Sequence, residues 1–300
     1  YTAGQSDFGS VIYKAHSNNA IEKIGTFAYE SGAPIENITI ASNQATWPTG
    51  NGFVIDKCSS VHFYNCSAQY MGGDSYVLGV TAGDVTGHNY LYDCYSNNPG
   101  AVGFRVRQKW GRMISCACDG GTIAFLLTDA SVTHIQSFHA EGFTDCGIRL
   151  ATGSSDLVTS GRNYIGSTAP SAVTKGIDIV NAAGNSNALL ENIVCIGGDV
   201  AGSIGLNIGV AGLGAVVRGC NFTNWPIGIY NGGSYGTYGV SIESNKFYAC
   251  ALPIEVVADN SIIERNLFEA TSGSYSIKHT YGSNGFWTKN SMDKPPQPVV

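Results

Sequence analysis

The sequence has few charged residues and no long apolar runs, and each of these features makes some classes of protein less plausible. Charged residues make up 13% of the 300 residues, against about 25% in an ordinary globular domain. The formal net charge is −6, which argues against nucleic acid as a partner. There is no run of 18 apolar residues, so we expect no insertion into a membrane. Apolar residues at helical spacing do not continue beyond one or two turns, which indicates a chain almost without helices.

Disulfides and zinc sites are not indicated either, although the chain has nine cysteines. Their number is odd, and Cys116 and Cys118 are too close in sequence for a zinc knuckle and have no partner pair at zinc spacing. We therefore expect buried free thiols, which fits folding in a reducing cytoplasm.

What the chain has instead is glycine, 39 residues in all, and a short strand that recurs along its length. In the segment GFRVRQKWGR at 103–112, Phe104 and Val106 alternate with Arg105 and Arg107, as on a strand with one buried face. The apolar residues that open such strands are 21 to 29 positions apart, and repeats of this length predict a solenoid. These opening residues are Phe53, Leu78, Phe104, Phe125, Ile148, Ile177, Leu206, Ile229, Ile254 and Ile277.

A second strand follows each first strand after about ten residues, in the pattern apolar-x-x-(Cys or Asn)-x-apolar. Examples are VRGCNF from Val217 and IERNLF from Ile263. Stacked coils would place these Cys and Asn side chains in an internal ladder. Cysteine packs there as a small apolar residue, and asparagine can hydrogen-bond to the backbone of the next coil. The ladder comprises Cys66, Cys94, Cys116, Cys220, Asn245, Asn266 and Asn290.

Together these features predict an all-β protein, a right-handed parallel β-helix of about ten coils. Sandwiches and propellers also have regularly spaced short strands, but the regular repeat and the internal ladder favour parallel coils. We expect residues 1–50 to form an N-terminal cap or first coil, with a short helix at Ala20–Tyr29. Residues 51–292 would form the β-helix, and the Pro-rich residues 293–300 a stop or a linker.

Over roughly residues 51–290 the coils resemble the pectin-lyase-like β-helix superfamily, and most of all bacteriophage tailspike or tail-fibre depolymerases. The resemblance rests on the repeat pattern and not on a catalytic motif. It implies a homotrimer on the virion, made in the host cytoplasm, that binds and cleaves a bacterial surface polysaccharide such as capsule or O-antigen.

One strand is similar to a more specific pattern. Lys175–Ile179, KGIDI, looks like the strand that carries a catalytic Asp in polygalacturonase-type hydrolases, which nominates Asp178. The paired Asp on the next strand and the Gly-His-Gly turn of those enzymes are missing, and the next coil reads GLNIG at 205–209. The similarity therefore does not make the chain a pectinase.

Outward residues of successive first strands form a row, because stacked coils repeat about every 4.8 Å. Arg105, Arg149 and Asp178 belong to this row, and Arg107 and Lys109 lie further along the same segment as Arg105. Such cations suit a groove for an anionic sugar chain, since arginine binds carboxylates bidentately and cations stabilise the charge that develops in an elimination. The alternative is a solvated face whose charges pair with a neighbouring subunit, in which Arg149 and Asp178 form a salt bridge.

The outward row of the second strands contains Glu191, Arg218, Glu243 and Glu264. Glu243 and Glu264 are on adjacent coils, close to the separation of about 5 Å in a retaining glycosidase, and Glu191 and Glu243 are two coils apart, near the roughly 6.5–9.5 Å of an inverting pair. The alternative is a charge ladder on the surface.

Aromatic residues are candidates for contacts with sugar, because exposed Tyr and Trp stack on sugar rings, although burial in the coil is their commoner fate. The best candidate loop is Tyr230–Gly239, YNGGSYGTYG. The residues proposed to bind substrate are Arg107, Lys109, Trp110, Tyr230, Tyr235 and Tyr238.

The segment HIQSFHAEG at 134–142 has the residue types of a metal site in His134, His139 and Glu141. Positions five apart on one strand point to opposite faces, so we expect no metal here, and we expect no cofactor.

Three functions remain open at this stage. The first is a tailspike-type depolymerase, with hydrolysis preferred to elimination on the grounds of the resemblance. The second is a non-catalytic adhesive or structural tail-fibre module, and the third is an extracellular polysaccharide lyase secreted by a bacterium as a monomer. Outward Val54, Leu126 and Val257 favour a subunit contact, and hence the trimer.

Overall fold

The computed structural model describes residues 19–24, 34–45, 48–56, 60–80, 86–131, 133–151, 153–154, 156–167, 173–180, 187–209, 214–232, 239–257, 261–279 and 286–295. Within these ranges the regular structure is strand throughout and no helix occurs. The same ranges therefore contain no helix of the length and apolarity that a membrane span needs.

The strands form three large parallel sheets, called here the first, second and third sheet, with 11, 11 and 10 strands among the described residues. The first sheet consists of Asn19–Ile24, Asn51–Asp56, Tyr76–Leu78, Val102–Val106, Ile123–Leu127, Cys146–Leu150, Lys175–Ile179, Ile204–Ile208, Ile227–Asn231, Leu252–Val256 and Ile277–His279. The second consists of Pro34–Glu36, His62–Tyr64, Tyr90–Tyr92, Arg112–Ile114, Thr133–Gln136, Leu157–Ser160, Asn187–Glu191, Gly214–Arg218, Ser241–Glu243, Ile262–Glu264 and Phe286–Thr288. The third consists of Thr39–Ala41, Ser67–Gln69, Tyr95–Asn97, Ala117–Asp119, His139–Glu141, Asn163–Gly166, Ile193–Ile196, Asn221–Thr223, Lys246–Tyr248 and Leu267–Glu269.

The chain visits the three sheets in turn, and each strand pairs in parallel with strands of the same sheet one coil away. This winding is a parallel β-solenoid, so the predicted fold class is confirmed. The number of coils differs slightly from the ten predicted. A small two-stranded sheet, Thr86–Gly87 with Gln108–Lys109, lies on the connection between the first and second sheets.

The chain joins the solenoid earlier than the sequence suggested. Asn19–Ile24 pairs in parallel with Asn51–Asp56, so the helix predicted at Ala20–Tyr29 is wrong for residues 20–24, while residues 25–29 lie outside the described part. Pairing with an existing sheet edge outweighs the modest helix propensity of Ala, Glu and Lys in this segment.

The other end of the described chain packs onto the last coils. The Asp293 carboxylate accepts hydrogen bonds from the backbone N–H of Thr271 (2.6 Å) and the hydroxyl of Ser276 (3.2 Å). The carbonyl of Pro295 accepts one from the Ser276 N–H (3.3 Å). Residues 293–295 thus close the solenoid, and the rest of the predicted tail, 296–300, lies outside the described residues.

Stacked aromatic rings fill the inner side of the first sheet. Phe53, Tyr76, Phe104 and Phe125 stack in sequence, with ring centroids 5.0, 4.7 and 5.0 Å apart. Tyr76, and not Leu78, therefore opens its strand in register with Phe53 and Phe104, which corrects the predicted repeat. A tyrosine can be buried here because its hydroxyl donates to the carbonyl of Cys66 (2.6 Å).

The predicted internal ladder is confirmed for its asparagines. The amide of Asn245 donates to the carbonyl of Val217 (2.9 Å), and that of Asn266 to the carbonyl of Ile242 (2.9 Å). The side-chain oxygen of each asparagine bonds to the same earlier coil, where it accepts the backbone N–H of the ladder residue. Asn266 accepts from Asn245 in this way (2.9 Å). The cysteines occupy the same position with the weaker donor, and the Cys220 thiol points at the Leu190 carbonyl (3.6 Å).

The cysteines are free thiols inside the coils, as expected. The eight described ones, all except Cys58, are buried and form no disulfide. Burial raises the pKa of the Cys66 thiol to about 11. Because the thiolate is the reactive form, Cys66 has a packing role, and the other seven are buried in the same way.

A sharp corner joins the second sheet to the third in each coil. It contains a residue with positive φ, such as Asn65 (51°) and Ser244 (55°), and in the next coil Arg265 (57°). Asparagine and glycine accept this conformation readily, whereas arginine does so at a cost. The corner turns Arg265 towards the outer face of the second sheet, where it meets two glutamates.

Candidate functional site

A groove of about 530 Å³ lies on the outer face of the second sheet. Its floor consists of the half-buried side chains of Val158, Leu189 and Val216, which lie side by side on adjacent strands. An apolar floor with a few polar groups around it is typical of a ligand-binding site. The groove is also lined by Asp156, Asn187, Ala188, Gly214, Ala215, Gly239 and Ser241.

A row of charged residues lies on the same outer face, starts two positions beyond Leu189 and Val216 on their strands, and continues onto the next two strands of the sheet. Glu191, Arg218, Glu243 and Glu264 are in register, each opposite the next. Residues two apart on a strand share a face and are separated by about 7 Å. Glu191, Arg218 and Glu243 therefore border the groove, whereas Glu264 lies one strand beyond the residues that line it. The predicted register of these four residues is confirmed.

The carboxylates of this row are held in place by hydrogen bonds and ion pairs. The hydroxyl of Ser241, a residue of the groove lining, donates to Glu243, and the Arg265 guanidinium contacts Glu264 directly and lies 3.7 Å from Glu243. Arg218 forms an ion pair with Glu191. Glu243 and Glu264 keep 28% and 22% of their side-chain surface exposed, so both carboxylates are fixed but accessible.

The spacing of the row distinguishes the two glycosidase geometries. Glu243 and Glu264 are directly opposite on neighbouring strands, whose separation of about 4.8 Å matches a retaining pair. Glu191 and Glu243 are two strands apart, and Arg218 lies between them in register, where an inverting enzyme needs room for water. Of the two predicted pairs, Glu243 and Glu264 thus have the expected spacing with no residue between them, and the catalytic role of either pair stays a prediction.

The outer face of the first sheet holds a second charged cluster, around Asp178. This carboxylate is 2% exposed and accepts hydrogen bonds from Arg149 (3.0 Å), Lys175 (3.0 Å) and Asn207 (2.7 Å). Arg149 also pairs with Asp145 (2.8 Å). The sequence-predicted neighbours Arg149 and Asp178 are thus brought together as a salt bridge that links adjacent coils. The catalytic role proposed for them stays a prediction.

Arg105 is also engaged with a carboxylate, since its guanidinium forms an ion pair with Asp74. Leu126 separates it from Arg149 in the row and belongs to a small buried apolar cluster with Val102, Ile123 and Cys146. Two of the cations predicted to form one basic groove, Arg105 and Arg149, are therefore already paired with carboxylates, and Leu126 lies between them.

The remaining predicted binding residues are dispersed. Arg107 donates to the carbonyl of Val80 (2.7 Å), Lys109 is exposed, and Trp110 is 52% exposed with its ring 5.1 Å from that of His88. Tyr230 is half-buried on the first sheet between Asn207 and Glu255. Tyr235 and Tyr238 lie outside the described residues, although Gly239, at the end of their loop, lines the groove.

The sequence reasoning missed one cluster, on the outer face of the third sheet. Asp119 and Glu141 are opposite each other on adjacent strands, and the His139 Nε2 atom is 3.0 Å from Glu141 Oε2 and 3.8 Å from Asp119 Oδ1. His134 lies on the second sheet, beyond the corner, so the expectation that both histidines share one strand is wrong. The signal in the sequence is the alignment of ACD at 117–119 with HAE at 139–141, which places Asp119 opposite Glu141.

His134 gives a prediction for the pH dependence of stability. It hydrogen-bonds to the Ser160 hydroxyl (2.7 Å), and burial, together with the nearby Arg112, lowers its pKa below the usual 6.5. The unfolded chain then binds more protons than the folded chain as the pH falls through about 6.5, so stability present above that pH is lost below it. We expect His134→Gln to lose less stability than the wild type between pH 7 and pH 5, measured by urea unfolding. Equal losses would contradict this role of His134.

Comparisons with known proteins leave the family of the chain open. No protein-family model matches it, and no curated protein matches it. Among solved structures, it is similar to the A-module of the mannuronan C-5 epimerase AlgE4 of Azotobacter vinelandii, at 12% sequence identity, over 80% of this chain and 88% of that chain. The TM-score is 0.27, so the assignment of a solenoid rests on the strand pairing of the chain itself.

Proposed function

We propose that this protein is a tailspike-type depolymerase that binds a bacterial surface polysaccharide and hydrolyses it at Glu243 and Glu264. One observation carries the proposal: two accessible carboxylates are in register on adjacent strands, and one of them, Glu243, is two positions from a residue that lines a groove with an apolar floor. Hydrolysis of a glycosidic bond needs such a pair. The groove supplies a surface on which the apolar faces of sugar rings can pack.

The contacts of the two carboxylates support a division of roles, because Arg265 is closer to Glu264 than to Glu243. The nucleophile must be ionised, and Arg265 contacts Glu264 directly, so we assign Glu264 as the nucleophile. Its oxygen attacks the anomeric carbon while Glu243 gives a proton to the departing glycosidic oxygen, which leaves as an alcohol. Glu243 then takes a proton from water, whose oxygen displaces Glu264 from the sugar. One water is consumed and both residues return to their initial states.

The cations of the first sheet, which suggested elimination, support that reaction less well than the glutamate pair supports hydrolysis. Arg105 and Arg149 already pair with Asp74, Asp145 and Asp178, so a uronate carboxylate would have to compete with these partners. The proposal therefore keeps hydrolysis.

The trimer and the location on a virion are parts of the proposal that come from the resemblance in repeat pattern. Of the three outward apolar residues that suggested a subunit contact, Val54 and Leu126 are only 2% and 8% exposed in the single chain, and Val257 is half-buried. Val54 and Leu126 do not need a partner to be covered. Light scattering of the purified protein would measure the number of subunits directly.

The decisive experiment is incubation with a panel of bacterial capsules and O-antigens, followed by mass spectrometry of the products. We expect fragments that are heavier than whole repeat units by one water. Unsaturated fragments that absorb in the near ultraviolet would overturn hydrolysis in favour of elimination. Retained binding with no product from any polysaccharide of the host would overturn the enzyme in favour of an adhesive module.

A further inference from the structure

The third sheet carries a cluster of metal-binding side chains that lies apart from the groove. We propose that Asp119, His139 and Glu141 bind one zinc ion. Asp119 is on one coil, and His139 and Glu141 are on the next. All three are half-exposed, and one ligand atom from each lies within 4.8 Å of the others. This makes them the only such group in the described part of the chain.

The distances fit a shared ion. Zinc binds histidine nitrogen and carboxylate oxygen at about 2.0–2.2 Å, so neighbouring ligand atoms in a tetrahedral site are about 3.4 Å apart. The two distances from His139 Nε2, 3.0 Å to Glu141 and 3.8 Å to Asp119, lie on either side of this value. Small rotations of exposed side chains are enough to reach it.

Two tyrosines outside the cluster hold the ligands in orientation. The Tyr95 hydroxyl donates to Asp119 Oδ2 (2.6 Å), which leaves Oδ1 on the side of His139. The ring of Tyr164 stacks on the imidazole, with the centroids 4.7 Å apart. Partners of this kind fix the direction of metal ligands and are part of functional metal sites.

The donor set selects the metal. One imidazole nitrogen and two carboxylate oxygens suit zinc, whereas calcium and magnesium prefer sites made of oxygen alone. Three protein ligands leave one tetrahedral position for water or for an oxygen of a ligand. Because the ligands come from two coils, the ion would also tie these coils together.

The test is a titration of the purified, metal-free protein with zinc chloride by isothermal calorimetry. We expect one ion per chain. Asp119→Asn, His139→Ala and Glu141→Gln should each weaken binding by about 100-fold or more, and Tyr95→Phe by about tenfold. Saturating zinc should raise Tm in the wild type, because the ion binds the folded state, and should leave Tm unchanged in His139→Ala. These readouts do not depend on cleavage of polysaccharide.

Two controls separate this site from other zinc ligands. His134→Ala removes a histidine on the neighbouring sheet and should leave the affinity unchanged. The second control is Cys58→Ser. A thiol can bind zinc, and Cys58 is the one cysteine outside the described residues; this variant should also bind zinc as the wild type does. The proposal is overturned if no saturable binding occurs up to 1 mM zinc, or if His139→Ala binds as tightly as the wild type; His139 would then be an ion-pair partner of the two carboxylates.

Discussion

Glu243→Gln and Glu264→Gln should each lower the rate of polysaccharide cleavage by about a thousandfold or more, and binding should remain. General acid catalysis contributes about 10²- to 10⁴-fold, and loss of the nucleophile removes the covalent path. Glutamine keeps the shape of each side chain and most of its hydrogen bonds, so a folding defect is not expected. Initial rates on the substrate polysaccharide and a separate binding assay measure the two effects.

Other glutamates provide matched controls. Glu269 is on the third sheet in an ion pair with Lys246 (2.7 Å), so Glu269→Gln should cleave at the wild-type rate. Glu191→Gln tests the inverting alternative, because Glu191 would have to replace Glu264 in that pair. Inactivity of Glu191→Gln together with activity of Glu264→Gln would contradict the assignment.

The stereochemistry of the product is a second check on the same pair. Carboxylates on adjacent strands predict retention of the anomeric configuration, whereas a wider pair predicts inversion. Nuclear magnetic resonance of the first product, recorded before mutarotation, shows which anomer is released. An inverted product would indicate that Glu191 and Glu243 are the reacting pair. Arg218, which lies between them, would then have to move to leave room for the attacking water.

The positions that the sequence predicted well are those where one coil repeats the chemistry of the next. Cys220, Asn245 and Asn266 could be aligned because each position in a stack has the same neighbours. The register of Glu243 with Glu264 followed from the same alignment. In a parallel stack, residues at the same position of successive repeats are in contact, so the repeat in the sequence predicts these long-range contacts directly.

The predictions that failed depend on the placement of a particular side chain or strand, which the repeat pattern does not specify. Leu78 fits the apolar pattern of the repeat, but Tyr76 takes the buried position because the carbonyl of Cys66 accepts a hydrogen bond from its hydroxyl. The position of Asp119 opposite Glu141 follows from the pairing of the third strands, which the pattern of the first and second strands does not contain. The groove floor at Val158 and Leu189 could not be recognised, since outward valine and leucine on short strands look like ordinary core residues in a sequence.

Asn266→Ala should lower the free energy of unfolding by about 3–5 kcal/mol. Its oxygen accepts from the backbone N–H (2.9 Å) and the side-chain amide (3.1 Å) of Asn245. Its nitrogen donates to the carbonyl of Ile242 (2.9 Å) and to Asn290 (3.1 Å). Alanine leaves the Asn245 N–H and the Ile242 carbonyl buried without these partners, and each such group costs about 1–3 kcal/mol. Urea unfolding followed by circular dichroism measures the loss.

The ladder position itself can be tested with the residue that earlier coils use. Asn266→Cys fills more of the space than alanine and keeps a weak donor for the Ile242 carbonyl, as Cys220 does for Leu190, but it does not replace the acceptor for Asn245. We therefore expect Asn266→Cys to lose less unfolding free energy than Asn266→Ala, and hydrogen exchange at the Asn245 amide to be faster than in the wild type in both variants.

The matched control is Asn221→Ala. Asn221 is on the outer face of the third sheet and accepts a hydrogen bond from Thr223 (3.2 Å), and its replacement should lower the free energy of unfolding by no more than about 0.5 kcal/mol. If Asn266→Ala costs as little as Asn221→Ala, the hydrogen bonds of the ladder add no stability, and the position selects only for size.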